Sequence, residues 1–383
     1  MAISKEKKAA LTSVLKGLNK KFGDKVNFVD DIQEQLKIKR YKTPSLELNI
    51  ALNGGIPIGK IVELYGQPSC GKTSLAMEII KENQEKDPDF VAGWFETEES
   101  VDAKQLEAFG IDMERLVYWD QSDIGAEQGF DILRSLVESG EFGFIVVNSV
   151  AGLCATKEVK DEMEQQNIGL IARLMSKLFR VVTGSASKNK TTLLFINQVR
   201  DKVGVMFGNP ETTTGGKALN FYSSVRIAMS KIKLDKSDSI TEEDGLKVRC
   251  RVKKNRFAIG NPYKECDYYA LYGIGIDSTV EIPNILEREG MIQKSGSWIY
   301  YPNKDNYTTI AGVECKWNSR KAFVEALKKN VDLLKFFNDI IDKLYDSENA
   351  GSHLSREEIE KIEQEDKELK DAFSDDVFIE GIS

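Results

Sequence analysis

The chain has a single histidine, His353, and five cysteines, Cys70, Cys154, Cys250, Cys266 and Cys315, with no C-x-x-C pair among them. That leaves little metal chemistry of its own, and reduced structural thiols are the expected state. No apolar run approaches the roughly 20 residues needed to cross a bilayer. The opening residues, Met1-Ala2-Ile3-Ser4-Lys5-Glu6-Lys7-Lys8, lack the apolar core of a signal peptide. A cytoplasmic protein with no membrane partner is therefore expected. Basic excess is also missing, since the net charge is −8. The deficit is local, however: residues 346–383 hold 13 acidic and 4 basic residues, a net of −9, leaving 49 basic and 48 acidic elsewhere. A body near neutrality can hold a basic groove, so the overall charge excludes no nucleic-acid partner. With 383 residues, two or three domains and a large core are expected.

What is present begins with Gly66-Gln67-Pro68-Ser69-Cys70-Gly71-Lys72-Thr73, a G-x-x-x-x-G-K-T phosphate loop. It follows the apolar run Ile61–Tyr65 and opens into a helical pattern from Ser74 to Gln84, the context such a motif requires. Its glycines let successive backbone N–H groups and the positive end of the helix approach an anion. Lys72 is positioned for the β- and γ-phosphates and the Thr73 hydroxyl for Mg²⁺. A nucleoside triphosphate site is implied, with residues 66–74 as its cradle.

Periodicity divides the rest. Lys5–Phe22 reads as a helix with Leu11, Val14, Leu15 and Leu18 on one face. It can pack on another subunit or cap its own domain. From Tyr41 to about Lys231 strands alternate with helices, which implies a mostly parallel sheet flanked by helices. The strands are expected at Ile61–Tyr65, Phe90–Phe95, Leu116–Trp119, Phe144–Asn148, Thr192–Asn197 and Val225–Ser230. Ala103–Phe109, Ala126–Glu138 and Ile168–Thr183 read as helices. Antiparallel strands Val248–Lys253 and Glu265–Leu271 follow, then a small α+β C-terminal domain with helices at Ile282–Glu289 and Arg320–Tyr345. The expected parts are a helical segment at 1–40, an α/β core at 41–277, the small domain at 278–345 and an acidic, disordered tail at 346–383. Gln198–Gly216 is a long Gly- and Thr-rich segment carrying Met206-Phe207 beside Arg200 and Lys202. It suits either a hairpin burying the apolar pair or a loop that orders on a nucleic-acid strand.

Here the chain strongly resembles the bacterial RecA recombinases, including phage-encoded members, from about residue 2 to residue 345. The match rests on Ile61–Gly66 running into the phosphate loop, on Val203–Gly216, and on Ala218-Leu219-Asn220-Phe221-Tyr222. The resemblance implies a RecA-like core and a helical filament on single-stranded DNA with ATP between neighbouring subunits. That filament would pair with homologous duplex and exchange strands, in a bacterial or phage-infected host cytoplasm. It implies two DNA-binding loops, about 158–167 and 198–216. Arg200, Met206, Phe207, Asn209, Gly215 and Gly216 lie in the second, and Arg173, Ser176 and Arg180 share a helix face toward DNA. It assigns Glu98 to polarising the attacking water and Gln198 to sensing the γ-phosphate. Lys254 and Arg256 match cations that reach a neighbour's phosphates. Phe221 matches an interface aromatic, and Tyr272 a tyrosine near the base.

Two departures stand out. The Walker B strand ends in Asn148 where Asp is usual, so reduced hydrolysis or Mg²⁺ affinity is expected. Asn148 would act through a water, with Glu96 partly supplying the missing carboxylate. Gln105 stands where relatives stack an aromatic on adenine, which leaves Asp102 for a polar contact. Arg320, Lys321, Lys328 and Lys329 read as a duplex-DNA gateway or a solvated helix face, and the acidic tail as a competitor for that basic surface. A filament that coats single strands with weak hydrolysis, or a ring helicase on the same fold, are the alternative functions.

Overall fold

The computed structural model describes residues 3–23, 25–122, 124–157, 169–201, 211–234 and 238–345. Two units are distinguished, one within residues 1–39 and one beginning at Arg40. The first carries helix α1 (Lys5–Phe22), capped by Ser4, whose hydroxyl accepts from the Lys7 N–H at 3.3 Å. Leu11, Val14 and Leu18 are exposed within this unit.

The second unit is built on alternating elements. In chain order these are α2 (Leu46–Ala51), β1 (Ile61–Gly66), α3 (Lys72–Lys86), β2 (Ala92–Glu96), α4 (Ala103–Phe109), β3 (Leu116–Asp120), α5 (Ala126–Ser139) and β4 (Phe144–Asn148). Then come α6 (Leu170–Asn189), β5 (Thr192–Asp201), β6 (Glu211–Thr213), α7 (Ala218–Tyr222), β7 (Val225–Ile232), β8 (Gly245–Asn255), β9 (Glu265–Leu271) and β10 (Gly275–Ile276). One sheet of ten strands runs β10-β9-β8-β7-β1-β5-β4-β2-β3, with β6 hydrogen-bonded to β5. The six strands from β7 to β3 are parallel, and β8, β9 and β10 extend the sheet antiparallel. Crossover connections put helices on both faces, so central strands are buried on both sides and read as continuous apolar runs.

Strand parity then decides which residues meet. Phe144 and Val146 of β4 pack into the layer under α3, whereas Ile145 and Val147 face the layer of α5 and α6. Ala92 and Trp94 of β2 share the α3 side. The next residues of the same parity, Asn148 and Glu96, therefore point toward the start of α3 at the C-terminal ends of their strands, directly opposite each other in register.

Beyond β10 lies the small domain: α8 (Ile282–Arg288), β11 (Gln293–Ser295), β12 (Trp298–Tyr300), β13 (Lys316–Trp317), α9 (Arg320–Lys329) and α10 (Val331–Tyr345). The expected single helix from Arg320 to Tyr345 is in fact two. Asn330 is extended at the break, and its Oδ1 accepts the Leu333 N–H at 3.0 Å, capping α10. Trp317 stacks on Phe323 at 3.8 Å between centroids, and Phe337 meets Phe323 and Tyr301 edge-on at 5.3 and 5.1 Å. Glu281 ties this domain to the core. It accepts from Ser45 Oγ at 3.1 Å and the Glu47 N–H at 2.7 Å at the start of α2, and complete burial holds its carboxyl well above the ordinary range. Removing the buried Phe337 ring leaves a cavity among Tyr301, Trp317, Phe323 and Phe336. Phe337→Ala is expected to destabilise the small domain by about 3–5 kcal/mol, read as an earlier thermal transition.

Candidate nucleotide site and nucleic-acid face

The phosphate loop leaves β1 at Gly66, where any Cβ would lie 2.1 Å from the Met229 carbonyl oxygen, so only glycine fits. Gly71, at φ +83°, is the N-cap of α3 and offers no side-chain cap. The first N–H groups of α3 therefore lack intrahelical partners and face the loop, as an anion site demands. Gln67, Pro68 and Ser69 are exposed, while Cys70 and Lys72 are buried. Lys72 Nζ donates to the carbonyls of Gly66 at 3.1 Å and Gln67 at 2.8 Å. Those are weak partners that a phosphate oxygen would outcompete.

Around this loop the C-terminal ends of the parallel strands bring polar side chains together, as open α/β sheets do. Thr73 Oγ1 lies 3.4 Å from Asn148 Oδ1. Asn148 Nδ2 donates to Glu96 Oε2 at 2.9 Å and to Ser100 Oγ at 3.1 Å. Glu96 also accepts from the Trp94 indole at 2.9 Å, the Glu98 N–H at 2.9 Å and Ser100 Oγ at 3.3 Å. Among the described residues no group of three His, Cys, Asp or Glu side chains could hold a metal ion. The hard oxygens of Thr73 and Asn148 are of the kind that would suit Mg²⁺.

Glu98 stands just past β2. Its Oε1 accepts from Gln198 Nε2 at 2.7 Å and from the Ser149 hydroxyl. Thr97 locks this corner: its hydroxyl donates to the Ser149 carbonyl at 2.6 Å and accepts the Ser149 N–H at 2.9 Å. The water-polarising and phosphate-sensing candidates are thus in direct contact, and Ser149, which no motif flagged, holds the first of them. Asp102 is exposed, and its Oδ1 caps α4 by accepting the Gln105 N–H at 2.7 Å, so the helix cap already occupies one of its oxygens. Tyr272 is exposed on the turn between β9 and β10, and Gly275, the first residue of β10, packs against Glu78 of α3.

The second expected loop has a hairpin stem. Val199, Arg200 and Asp201 pair with Thr213, Thr212 and Glu211, with Arg200 exposed. Met206, Phe207 and Asn209 lie outside the described residues, as does the first loop, 158–167. Gly215 and Gly216, at φ +79° and +76°, bring the returning chain against Val150 and Ala172, where a Cβ would come within 2.6 and 2.7 Å. On α6, Arg173 and Arg180 are exposed on the face opposite Met175, Phe179 and Val182. Ser176 lies between them, its hydroxyl bonded back to the Ala172 carbonyl at 2.8 Å.

Lys254 and Arg256 lie elsewhere. β8 runs antiparallel to β7, so Lys254 pairs with Arg226, which in turn lies level with Glu63 of β1, and the Arg256 N–H bonds to the Ser224 carbonyl. At about 3.3 Å per residue, three strand positions from Glu63 to Gly66 put Lys254 roughly 10 Å behind the phosphate loop. Both cations converge on α7: Lys254 Nζ reaches the Asn220 and Phe221 carbonyls at 2.7 and 3.1 Å, and Arg256 Nη2 reaches that of Phe221 at 2.6 Å. Burial, then Arg256 and Arg226, press the Lys254 ammonium down to about 8, with Glu63 opposing. The Phe221 ring is 67 % exposed beside them. Buried Glu63 pairs with Arg226 and accepts Asn197 Nδ2 at 3.0 Å, and Asn197 Oδ1 accepts the Gln198 N–H at 2.9 Å. One carboxylate thus ties this rear face to the root of the hairpin stem.

In the small domain, Arg320 is spent on Asn284 and Glu287, and Lys328 on Asp277 at 2.6 Å. Of the four suggested gateway cations, Lys321 and Lys329 are exposed on α9. No helix of the described residues is long and apolar enough to cross a membrane.

A family model described as the RecA N-terminal domain matches residues 9–277. The curated Protein RecA of Clostridium acetobutylicum is 39% identical over 342 residues, covering 89% of this chain and 93% of that one. Protein RecA of Aquifex aeolicus is 40% identical over 300 residues, covering 78% and 85%. Protein RecA of Clostridium tetani is 35% identical over 371 residues, covering 96% and 100%.

Proposed function

The chain belongs to the RecA family, and on that premise we propose how its residues divide the work of an ATP-dependent homologous recombinase. A nucleotide is bound by the loop Gly66–Ser74, with ATP as the expected triphosphate. Lys72 would exchange its loop carbonyls for the β- and γ-phosphates, and the Thr73 hydroxyl with the Asn148 amide oxygen would hold Mg²⁺. When bound, that ion neutralises charge on the β- and γ-oxygens. Glu98 orients and polarises the attacking water from a position fixed by Ser149 and Gln198. Gln198 begins the stem of the second DNA loop, so a change in its partner at the γ-phosphate is transmitted to residues that meet DNA. Arg173, Ser176, Arg180, Arg200, Gly215 and Gly216 form the single-strand face together with Met206, Phe207 and Asn209. Lys254 and Arg256 serve the nucleotide of the neighbouring subunit in a helical filament, with Phe221 as interface aromatic and homologous duplex as second partner. The expected location is cytoplasmic.

The observation that carries this reading is the direct Glu98–Gln198 contact beside an open helix N-terminus. The test is ATP turnover at low salt with Mg²⁺, with and without single-stranded DNA. Stimulation by DNA supports it. Absence of turnover with ATP-dependent DNA binding retained would favour a coating filament instead, the reading that uncharged Asn148 suggests.

The trans cations give a pH dependence. Lys254 titrates near 8 in the free subunit, and a neighbour's phosphate would raise that value. Assembly then takes up a proton above pH 8: the contribution is complete below the free value and is lost as pH rises toward the assembled one. Nucleotide-dependent filament formation, followed by light scattering, is expected to weaken from about pH 8 upward in the parent and to stay flat in Lys254→Arg.

A further inference from the structure

We propose that Glu96, one strand over from the Walker B strand, acts as a positioning residue that orients the Asn148 amide. The inference deepens the nucleotide-binding reading above and rests on it.

Glu96 and Asn148 face each other in register, and both are completely buried. Glu96 Oε2 already accepts from Trp94 Nε1 and Asn148 Nδ2, and Oε1 from the Glu98 N–H and the Ser100 hydroxyl. Donors from four residues, the Ser100 N–H at 3.5 Å among them, leave it poorly placed to be a metal ligand itself. They make it an acceptor of fixed position beneath the Asn148 amide. An amide has one donating and one accepting end, whereas a carboxylate only accepts. With Glu96 below it, Asn148 has one good orientation: Nδ2 toward Glu96 and Ser100, Oδ1 toward Thr73. The reverse would set Oδ1 against the carboxylate. An aspartate at 148 would do worse, placing two carboxylates at the 2.9 Å now bridged by an N–H. Asparagine here is therefore the matched partner of Glu96, and restoring the usual aspartate alone breaks the pair. The same carboxylate holds the Glu98 backbone, so metal-facing and water-polarising groups share one support.

The test uses the full chain and a fluorescent ATP analogue, titrated in Mg²⁺ and in EDTA, with thermal melts lacking nucleotide. Glu96→Gln is nearly isosteric and lets Asn148 turn over. It should weaken binding in Mg²⁺ about tenfold, the worth of one charge-assisted hydrogen bond, and leave binding in EDTA unchanged. Asn148→Asp should weaken Mg²⁺-dependent binding at least as much and lower the melting temperature. In Glu96→Gln/Asn148→Asp the amide and carboxylate exchange places, and both readouts should recover part of the loss. Recovery stays partial because the Trp94 indole then lacks an acceptor. Asn148→Asp binding the Mg²⁺ complex as well as the parent would overturn the proposal. So would a double variant that loses the sum of the two single effects. If Asn148→Asp does not fold, an Mg²⁺-dependence in Glu96→Gln equal to the parent's overturns it alone. Failure of the parent to bind in either condition would instead remove the nucleotide-binding reading on which all of this stands.

Discussion

Glu98→Gln is expected to lower DNA-stimulated ATP turnover by roughly 10²–10⁴-fold, the range over which general-base groups contribute, while nucleotide and DNA binding persist. Glutamine keeps the shape and one acceptor oxygen, so the bonds from Ser149 and Gln198 to Oε1 can remain. What disappears is the second carboxylate oxygen and the charge that polarises water. Because Gln198 stays bonded, the stem of the DNA loop is undisturbed, and the variant should assemble on single-stranded DNA with ATP and persist there. Turnover within tenfold of the parent would mean that another group polarises the water. Loss of DNA binding in parallel would mean that Glu98 acts mainly as a strut for the stem.

How much of this was legible in the sequence depends on the range of the interaction. The phosphate loop, its strand and its helix are contiguous, and local pattern defined them. Strands Phe144–Asn148 and Glu265–Leu271 and helix Ala103–Phe109 occur with the bounds their periodicity implied. The break at Asn330 was written in the chain too, since asparagine is a good N-cap, but the apolar period continues across it and masked the signal. The polar network was not legible in one dimension. That Asn148 meets Glu96 follows from parallel register between strands 52 positions apart, and that Ser149 and Gln198 share one oxygen of Glu98 follows from three strand ends converging. Strand parity would have placed Glu96 and Asn148 on the α3 side, yet parity cannot set the register between strands. The rear position of Lys254 and Arg256 depended on how the antiparallel extension attaches to β7, which no motif records.

That rear position has a consequence that a within-subunit site could not produce. Arg256→Ala alone should reduce turnover roughly 10³-fold, as removal of a transition-state cation supplied in trans does, although its own subunit's phosphate loop is intact. Glu98→Gln retains its cations and loses its own chemistry. A filament interface is heterologous, and on the proposed assignment each nucleotide combines the loop of one subunit with the cations of the next. Mixing two inactive proteins in equal amounts should then restore activity. A random filament forms one productive interface in four, so turnover should reach about a quarter of the parent's per site. If the cations served their own nucleotide, every subunit in the mixture would carry one defect and no recovery would occur. Single-stranded DNA must be present to drive assembly, and dilution below the assembly threshold should abolish the recovered activity while leaving each protein's nucleotide binding intact. A mixture no more active than its components would place the cations at their own subunit's nucleotide, whereas an Arg256→Ala protein that turns over ATP like the parent would place them outside the reaction. Their convergence on the Phe221 carbonyl would then be a means of bracing α7 and the exposed ring beside it.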